Sequence, residues 1–269
     1  CQFFHVIGIQ KGELKEHLKE FGKELGDTFY GGVKLAPPKT WMEAFEMLTQ
    51  AIQVSNTSLP IVAFMDEFPW FASKRSRILE AFEYYWNRYW KNKSNFKLIL
   101  CGSSASWIIK KILNNKGGLH NRTTCQMHIK PFNLQETAQF LQSKEMNLTN
   151  KQILDVYLAL GGVPYYLSQL KSGYSVIENI NQLCFQKSGR LFEEFKNLFS
   201  SLFLDAPAYE ELVTLISKNR YGIARELLEQ QVRLSQKGGT LTSRLQDLEM
   251  AGFIQKFLPL GQKKKGISY

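Results

Sequence analysis

Apolar positions follow two periods along this chain, and the changes of period mark its elements. Leu59-Pro60-Ile61-Val62-Ala63-Phe64-Met65 is a run of strand length, closed by Asp66-Glu67-Phe68-Pro69. Phe96-Lys97-Leu98-Ile99-Leu100-Cys101 is a second such run, closed by Gly102-Ser103-Ser104-Ala105-Ser106 before a helical pattern that begins at Trp107. A short apolar run, then Gly and small hydroxyl residues, predicts strand, turn and helix start. Between the two runs, Ile78, Leu79, Phe82, Tyr85, Trp86 and Tyr89 recur at three-to-four spacing within Lys74 to Trp90, which predicts an amphipathic helix. Strand, helix, strand is a crossover, so the strands run parallel and their tips share one rim. Phe3-Phe4-His5-Val6-Ile7-Gly8-Ile9 and Thr124-Cys125-Gln126-Met127-His128-Ile129 read as further strands. The expected class is α/β with a parallel sheet.

From residue 133 the period is helical almost throughout. Leu134–Ser143, Gln152–Leu160, Val163–Leu170, Val176–Phe185 and Arg190–Phe203 each carry apolar residues at helical spacing. Gly161-Gly162-Val163-Pro164 spells a helix break with proline in the next first turn. The last 64 residues change grammar: Tyr209–Ser217, Ile223–Gln231 and Thr240–Ala251 are short amphipathic helices, followed by Phe253–Leu258, a Pro-Leu-Gly turn and a basic tip at Lys263-Lys264-Lys265. Three helices and a hairpin are the winged helix-turn-helix layout. The expected division is 1–132 for the sheet, 133–205 for a helical lid and 206–269 for the winged helix. If that last module binds DNA, Thr240, Thr242, Ser243, Arg244 and Gln246 face the major groove and Lys263, Lys264 and Lys265 touch the backbone. Against DNA stand six Asp/Glu among ten Lys/Arg in 206–269, with Asp247 and Glu249 on the candidate reading helix.

The chemistry sits on the strand tips, where open α/β sheets bind ligands. In a nucleoside triphosphatase the first of two adjacent carboxylates, here Asp66, holds the Mg²⁺ shell, and the second, Glu67, polarises the attacking water. The plainer alternative is a solvated Asp-Glu turn. Ser103 and Ser104 on the neighbouring tip either sense a γ-phosphate or cap the following helix. The net charge of +10 is concentrated in 71–130, with twelve Lys/Arg against Glu80 and Glu83. This suits a polyanion such as nucleotide or nucleic acid, or else a set of solvated helix faces. No apolar run reaches the ~18 residues of a membrane helix, and the N-terminus has no signal segment. Cys1, Cys101, Cys125 and Cys184 have no metal spacing and are expected as buried free thiols in a reducing cytoplasm. The four histidines form no ligand pattern.

Taken in order, these pieces resemble the archaeal-type ATPase group within the AAA+/STAND P-loop ATPases. The matching stretches are Val62-Ala63-Phe64-Met65-Asp66-Glu67-Phe68-Pro69, Leu98-Ile99-Leu100-Cys101-Gly102-Ser103-Ser104-Ala105-Ser106, Asn121-Arg122, Ile129-Lys130-Pro131-Phe132 and Leu160-Gly161-Gly162-Val163-Pro164-Tyr165-Tyr166-Leu167. The resemblance implies ATP and Mg²⁺ as ligands, Glu67 and Arg122 as catalytic residues and Asp66 on the metal. It places Ser103, Ser104 and Pro164 on the nucleotide, Pro164 against adenine. The alternative for Pro164 is a helix-start proline without a ligand. In the family the sheet order 5-1-4-3-2 makes these strands 2, 3, 4 and 5. No Gly-x-x-x-x-Gly-Lys-Ser/Thr occurs in the chain, so the first strand and its phosphate loop are expected to be missing from a truncated module inactive on its own. The expected role is an ATP-dependent switch in the cytoplasm, with oligomerisation and a protein client left open. The competing role is a DNA-binding transcriptional regulator with a vestigial ATPase part, and the third is the remnant of a truncated gene.

Overall fold

In a computed structural model, residues 1–55, 59–73, 75–103, 105–114, 122–203, 205–233, 238–260 and 268–269 are described, leaving aside the side chains of 105 and 106. The chain divides into two compact units, Cys1–Thr124 with Val213–Tyr269, and Cys125–Leu212.

The first unit is built on three parallel strands in the order β1 (Gln2–Ile7), β2 (Ile61–Asp66), β3 (Phe96–Leu100). Phe4 pairs with Ala63, and Ala63 with Leu98, so Gly8, Glu67 and Cys101 all follow the strand ends on one rim. Period 2 sends Phe4, Val6, Ile61, Ala63, Met65 and Phe96 to one buried face. Four helices contribute side chains to the core on that face. α1 (Leu14–Phe29) buries Leu18, Phe21 and Leu25 and starts in a Glu13/Glu16 capping box. α2 (Trp41–Val54) starts at Thr40, whose hydroxyl accepts from Glu43 N–H, and buries Trp41, Ala44, Phe45 and Leu48. A short α3 (Phe68–Phe71) leads to α4 (Ile78–Tyr85), which continues as a π-helical turn, Trp86–Trp90. The opposite face of the sheet is open, with Phe3, Ile7 and Ile99 each about half exposed.

Beyond β3, α5 (Ala105–Ile108) continues directly into a second π-helical turn, Ile109–Leu113. The strand expected over 124–129 is not formed. Residues 122–133 adopt neither helix nor strand, and Met127 and Ile129 are 77% and 84% exposed. A strand exists through the ladder its neighbour supplies, and nothing pairs with this segment in the three-stranded sheet.

The second unit is helical: α6 (Leu134–Ser143), α7 (Asn150–Leu160), α8 (Pro164–Leu167), α9 (Val176–Ile180) with a π-helical turn to Phe185, and α10 (Glu194–Leu202). Capping boxes at Asn133/Glu136, Thr149/Gln152 and Ser175/Glu178 set three of these starts. Leu141, Val156, Leu160, Leu167 and Leu183 lie in its core. Gly162 has a structural reason: a Cβ there would fall 1.8 Å from the Phe132 carbonyl oxygen, and Gly162 O accepts from Phe132 N–H at 2.8 Å.

After α11 (Ala206–Ser217) come α12 (Arg225–Gln231) and α13 (Gly239–Met250). Ile223 pairs backbone-to-backbone with Tyr269, and Phe257 exchanges hydrogen bonds of 2.9 and 3.0 Å with Ser268. Ile223, Leu228, Val232, Leu241, Leu245 and Leu248 are buried there. Lys263, Lys264 and Lys265 lie outside the described residues. No helix among those residues is long and apolar enough to cross a membrane.

Candidate functional site

Asp66 ends β2, and the backbone turns sharply just past it. Glu67 takes left-handed φ/ψ of 47° and 45°, a conformation that costs a non-glycine residue roughly 1–2 kcal/mol. Neighbouring strands hold the turn in place: Gly8 N–H donates to Asp66 O at 2.9 Å, and Phe68 N–H to Cys101 O at 2.8 Å. A Cβ on Gly8 would sit 2.5 Å from Glu67 O, so this backbone approach requires glycine.

The turn aims the two carboxylates differently. Asp66 Oδ1 accepts from Glu67 N–H at 2.9 Å, while Oδ2 faces His5 Nε2 at 3.9 Å. Glu67 Oε2 accepts from both the backbone N–H of Ser103 at 3.1 Å and its hydroxyl at 2.9 Å. Charge-assisted bonds of this kind fix a carboxylate's rotamer. Strain at Glu67 and a two-point grip on its carboxylate suit a group that must act from one position. Burial, followed by the charge of Asp66 and a hydrogen bond to its carboxylate, raises the Cys101 thiol above its ordinary range.

The loop after β1 runs beside this rim and is pinned by His17. Buried His17 accepts from Ile9 N–H through Nε2 at 3.0 Å, and its ring packs edge-on against Phe71. Burial lowers its pKa below 6.5, outweighing the Ile9 backbone contact and the Glu16 charge. The neutral form is thus the folded form. Its contribution is complete above pH 6.5 and is lost as pH falls through the lowered folded value. Thermal melts from pH 7.5 to 5 are expected to show a decline in stability that is shallower in His17→Gln. Identical profiles for both proteins would contradict the assignment.

The structure brings together Asp66, Glu67 and Ser103. Ser104 and Asn121 lie outside the described residues. Arg122 is exposed in the irregular segment after them. Pro164 is exposed at the first position of α8, in the other unit. On α13, Thr242 Oγ1 accepts from Arg225 Nη2 at 2.7 Å and donates to Gly238 O. Ser243 Oγ accepts from Lys110 Nζ at 3.4 Å, Arg244 is half-buried and Gln246 is exposed. Sequence reasoning missed Gly8, His5 and Cys101 as companions of the acid pair. Parallel register could have found them, since residues at or one step past adjacent strand ends share a rim. The thiols also differ from expectation: Cys1, Cys101 and Cys125 are exposed and Cys184 half-buried, because three of them fall on a terminus, the rim or the irregular segment rather than in a core.

Asp66 and Glu67 offer a hard-oxygen donor set of the kind Mg²⁺ takes, since that ion keeps waters and phosphate oxygens and needs only one or two carboxylates. The backbone cradle that receives nucleotide phosphates has no counterpart spelled in these residues.

A family profile described as an ATPase domain predominantly from Archaea matches residues 7–170. An uncharacterised protein of Methanocaldococcus jannaschii is 25% identical over 271 residues, covering 100% of this chain and 56% of the relative. The chain thus spans about half the length of that curated relative. Among solved structures, a Walker-type ATPase of Pyrococcus abyssi superposes with a TM-score of 0.58 at 17% identity, over 93% of this chain and 77% of the other, which is a likeness of fold.

Proposed function

We propose a role that starts from the family: the chain belongs to the ATPase domains found predominantly in Archaea, and its Asp66–Glu67–Ser103 rim is the carboxylate half of an ATP- and Mg²⁺-dependent site. The observation that carries this reading is the pair of hydrogen bonds that Ser103 donates to Glu67 Oε2, from its backbone N–H and its hydroxyl, set beside an Asp66 whose Oδ1 is already committed to the turn. Asp66 would hold the Mg²⁺ shell, which when bound neutralises phosphate charge. Glu67 would orient the attacking water and draw its proton. Ser103 keeps Glu67 aimed, and its hydroxyl would report on the γ-phosphate by exchanging partners. Arg122 and Ser104 complete the proposed set. The phosphates would be cradled by a segment outside these 269 residues, because the chain spells no phosphate loop.

The finer placement is within the AAA+/STAND class, as a switch in which nucleotide governs how the C-terminal module docks. A winged helix for that module is supported by α11–α13 and by the antiparallel pairing of Phe257 with Ser268. DNA is the less favoured partner, since Thr242, Ser243 and Asp247 on α13 already have partners within the chain.

The test is a titration with ATP and ADP, with and without Mg²⁺, of a protein in which a strand–phosphate-loop–helix unit precedes Cys1. Asp66→Asn is expected to weaken binding only when Mg²⁺ is present. Equal weakening in both conditions, or none in either, would remove Asp66 from the metal.

A further inference from the structure

Among the described residues, Lys110 joins the helix that follows Ser103 to the C-terminal helix α13. It lies in the π-helical turn Ile109–Leu113 that extends α5 (Ala105–Ile108), and Ser103, the residue that holds Glu67, stands seven positions earlier in the chain. Lys110 Nζ donates to Asp247 Oδ1 at 2.8 Å and to Ser243 Oγ at 3.4 Å. Ser243 and Asp247 are four apart on α13 and therefore share a face. The Asp247 side chain is only 14% exposed, so this bond is better shielded than an ordinary surface pair. Arg225 holds the adjacent Thr242 from α12, so the α12–α13 pair is braced internally. The π-helical turn matters because such turns mark places where a helix is interrupted and can change register.

We infer that Lys110 is a latch: it holds α13 against the helix that follows Ser103, and it releases α13 when Glu67 lets go of Ser103. The face of α13 that presents Ser243 and Asp247 is thereby closed to any partner in the latched state and opened by events at the acid pair. The inference rests on the proposed nucleotide site only for the natural trigger; the mechanical link itself is a property of this chain without ligand.

Hydrogen exchange of the amides in Gly239–Met250, measured on the 269-residue protein without nucleotide, tests the link. Lys110→Gln and Lys110→Ala are each expected to lower α13 protection about tenfold, the scale of a lost charge-assisted bond. Protection of α2 should stay constant, which separates a released helix from general loss of structure. Lys110→Asp combined with Asp247→Lys should restore most of the protection. Glu67→Ala should lower α13 protection severalfold in the wild-type background and have no further effect in Lys110→Ala, the non-additivity expected of residues acting through one path. Unchanged protection in both Lys110 variants overturns the latch. An effect of Glu67→Ala that is equal in both backgrounds, or absent from both, overturns the coupling. Neither result depends on ATP binding, so failure of the nucleotide reading would appear separately, as loss of Mg²⁺-dependent binding with the exchange pattern intact.

Discussion

In a protein that carries a phosphate loop ahead of Cys1, Glu67→Gln is expected to lower ATP turnover roughly 10²–10⁴-fold, the range for removing a positioned base. Nucleotide affinity should hardly change. The amide of glutamine keeps an acceptor for Ser103, so the turn that the left-handed residue occupies is preserved while proton acceptance is lost. The 269-residue chain alone is expected to show no turnover above background, because its carboxylates have no phosphate cradle to work with. Single-turnover and equilibrium-binding measurements on the same preparations separate the two effects. A variant that loses binding and turnover together would make Glu67 a structural residue of the turn.

The largest stability effect is expected at Trp90→Ala, at about 3–5 kcal/mol. Trp90 is 1% exposed. Its ring meets Phe45 at 5.3 Å, Phe96 at 5.6 Å and Tyr85 at 5.7 Å, so one side chain ties α2, β3 and α4 together. Its Nε1–H donates to Thr49 Oγ1 at 2.9 Å, and the Thr49 hydroxyl in turn donates to Phe45 O. Truncation leaves a cavity and removes the donor at once. Trp90→Phe should cost less, since it fills most of the volume. Denaturant unfolding of both variants checks the order, and a near-neutral Trp90→Ala would show that this cluster does not hold the sheet to its helices.

The strands at Ile61–Asp66 and Phe96–Leu100 were legible because each is a continuous apolar run closed by turn-forming residues, and the crossover rule then aligns their tips. The meeting of Glu67 with Ser103 follows from that alignment alone. The segment 124–129 shows the limit of the same reasoning. Its apolar and polar residues have strand spelling, but a strand is a property of a pair, and no partner is supplied. The helix read from Lys74 to Trp90 is in fact α4 and a π-helical turn, a change of hydrogen-bond ring that side-chain spacing barely registers. Lys110 and Asp247 stand 137 positions apart, and no local pattern in either stretch announces the other. Gly162 had been legible only as a break; the carbonyl of Phe132 beside it explains why no side chain fits.

Whether nucleotide and metal sit on the Asp66–Glu67–Ser103 rim is answered most directly with Mn²⁺ in place of Mg²⁺. Paramagnetic broadening of amide resonances would be recorded on addition of Mn²⁺ and ATP to the phosphate-loop-bearing protein. Broadening centred on residues 65–68 and 101–103, and abolished by Asp66→Asn, is the expected result. Saturating ATP with broadening elsewhere, or with those amides left sharp, would contradict the assignment of this rim as the site.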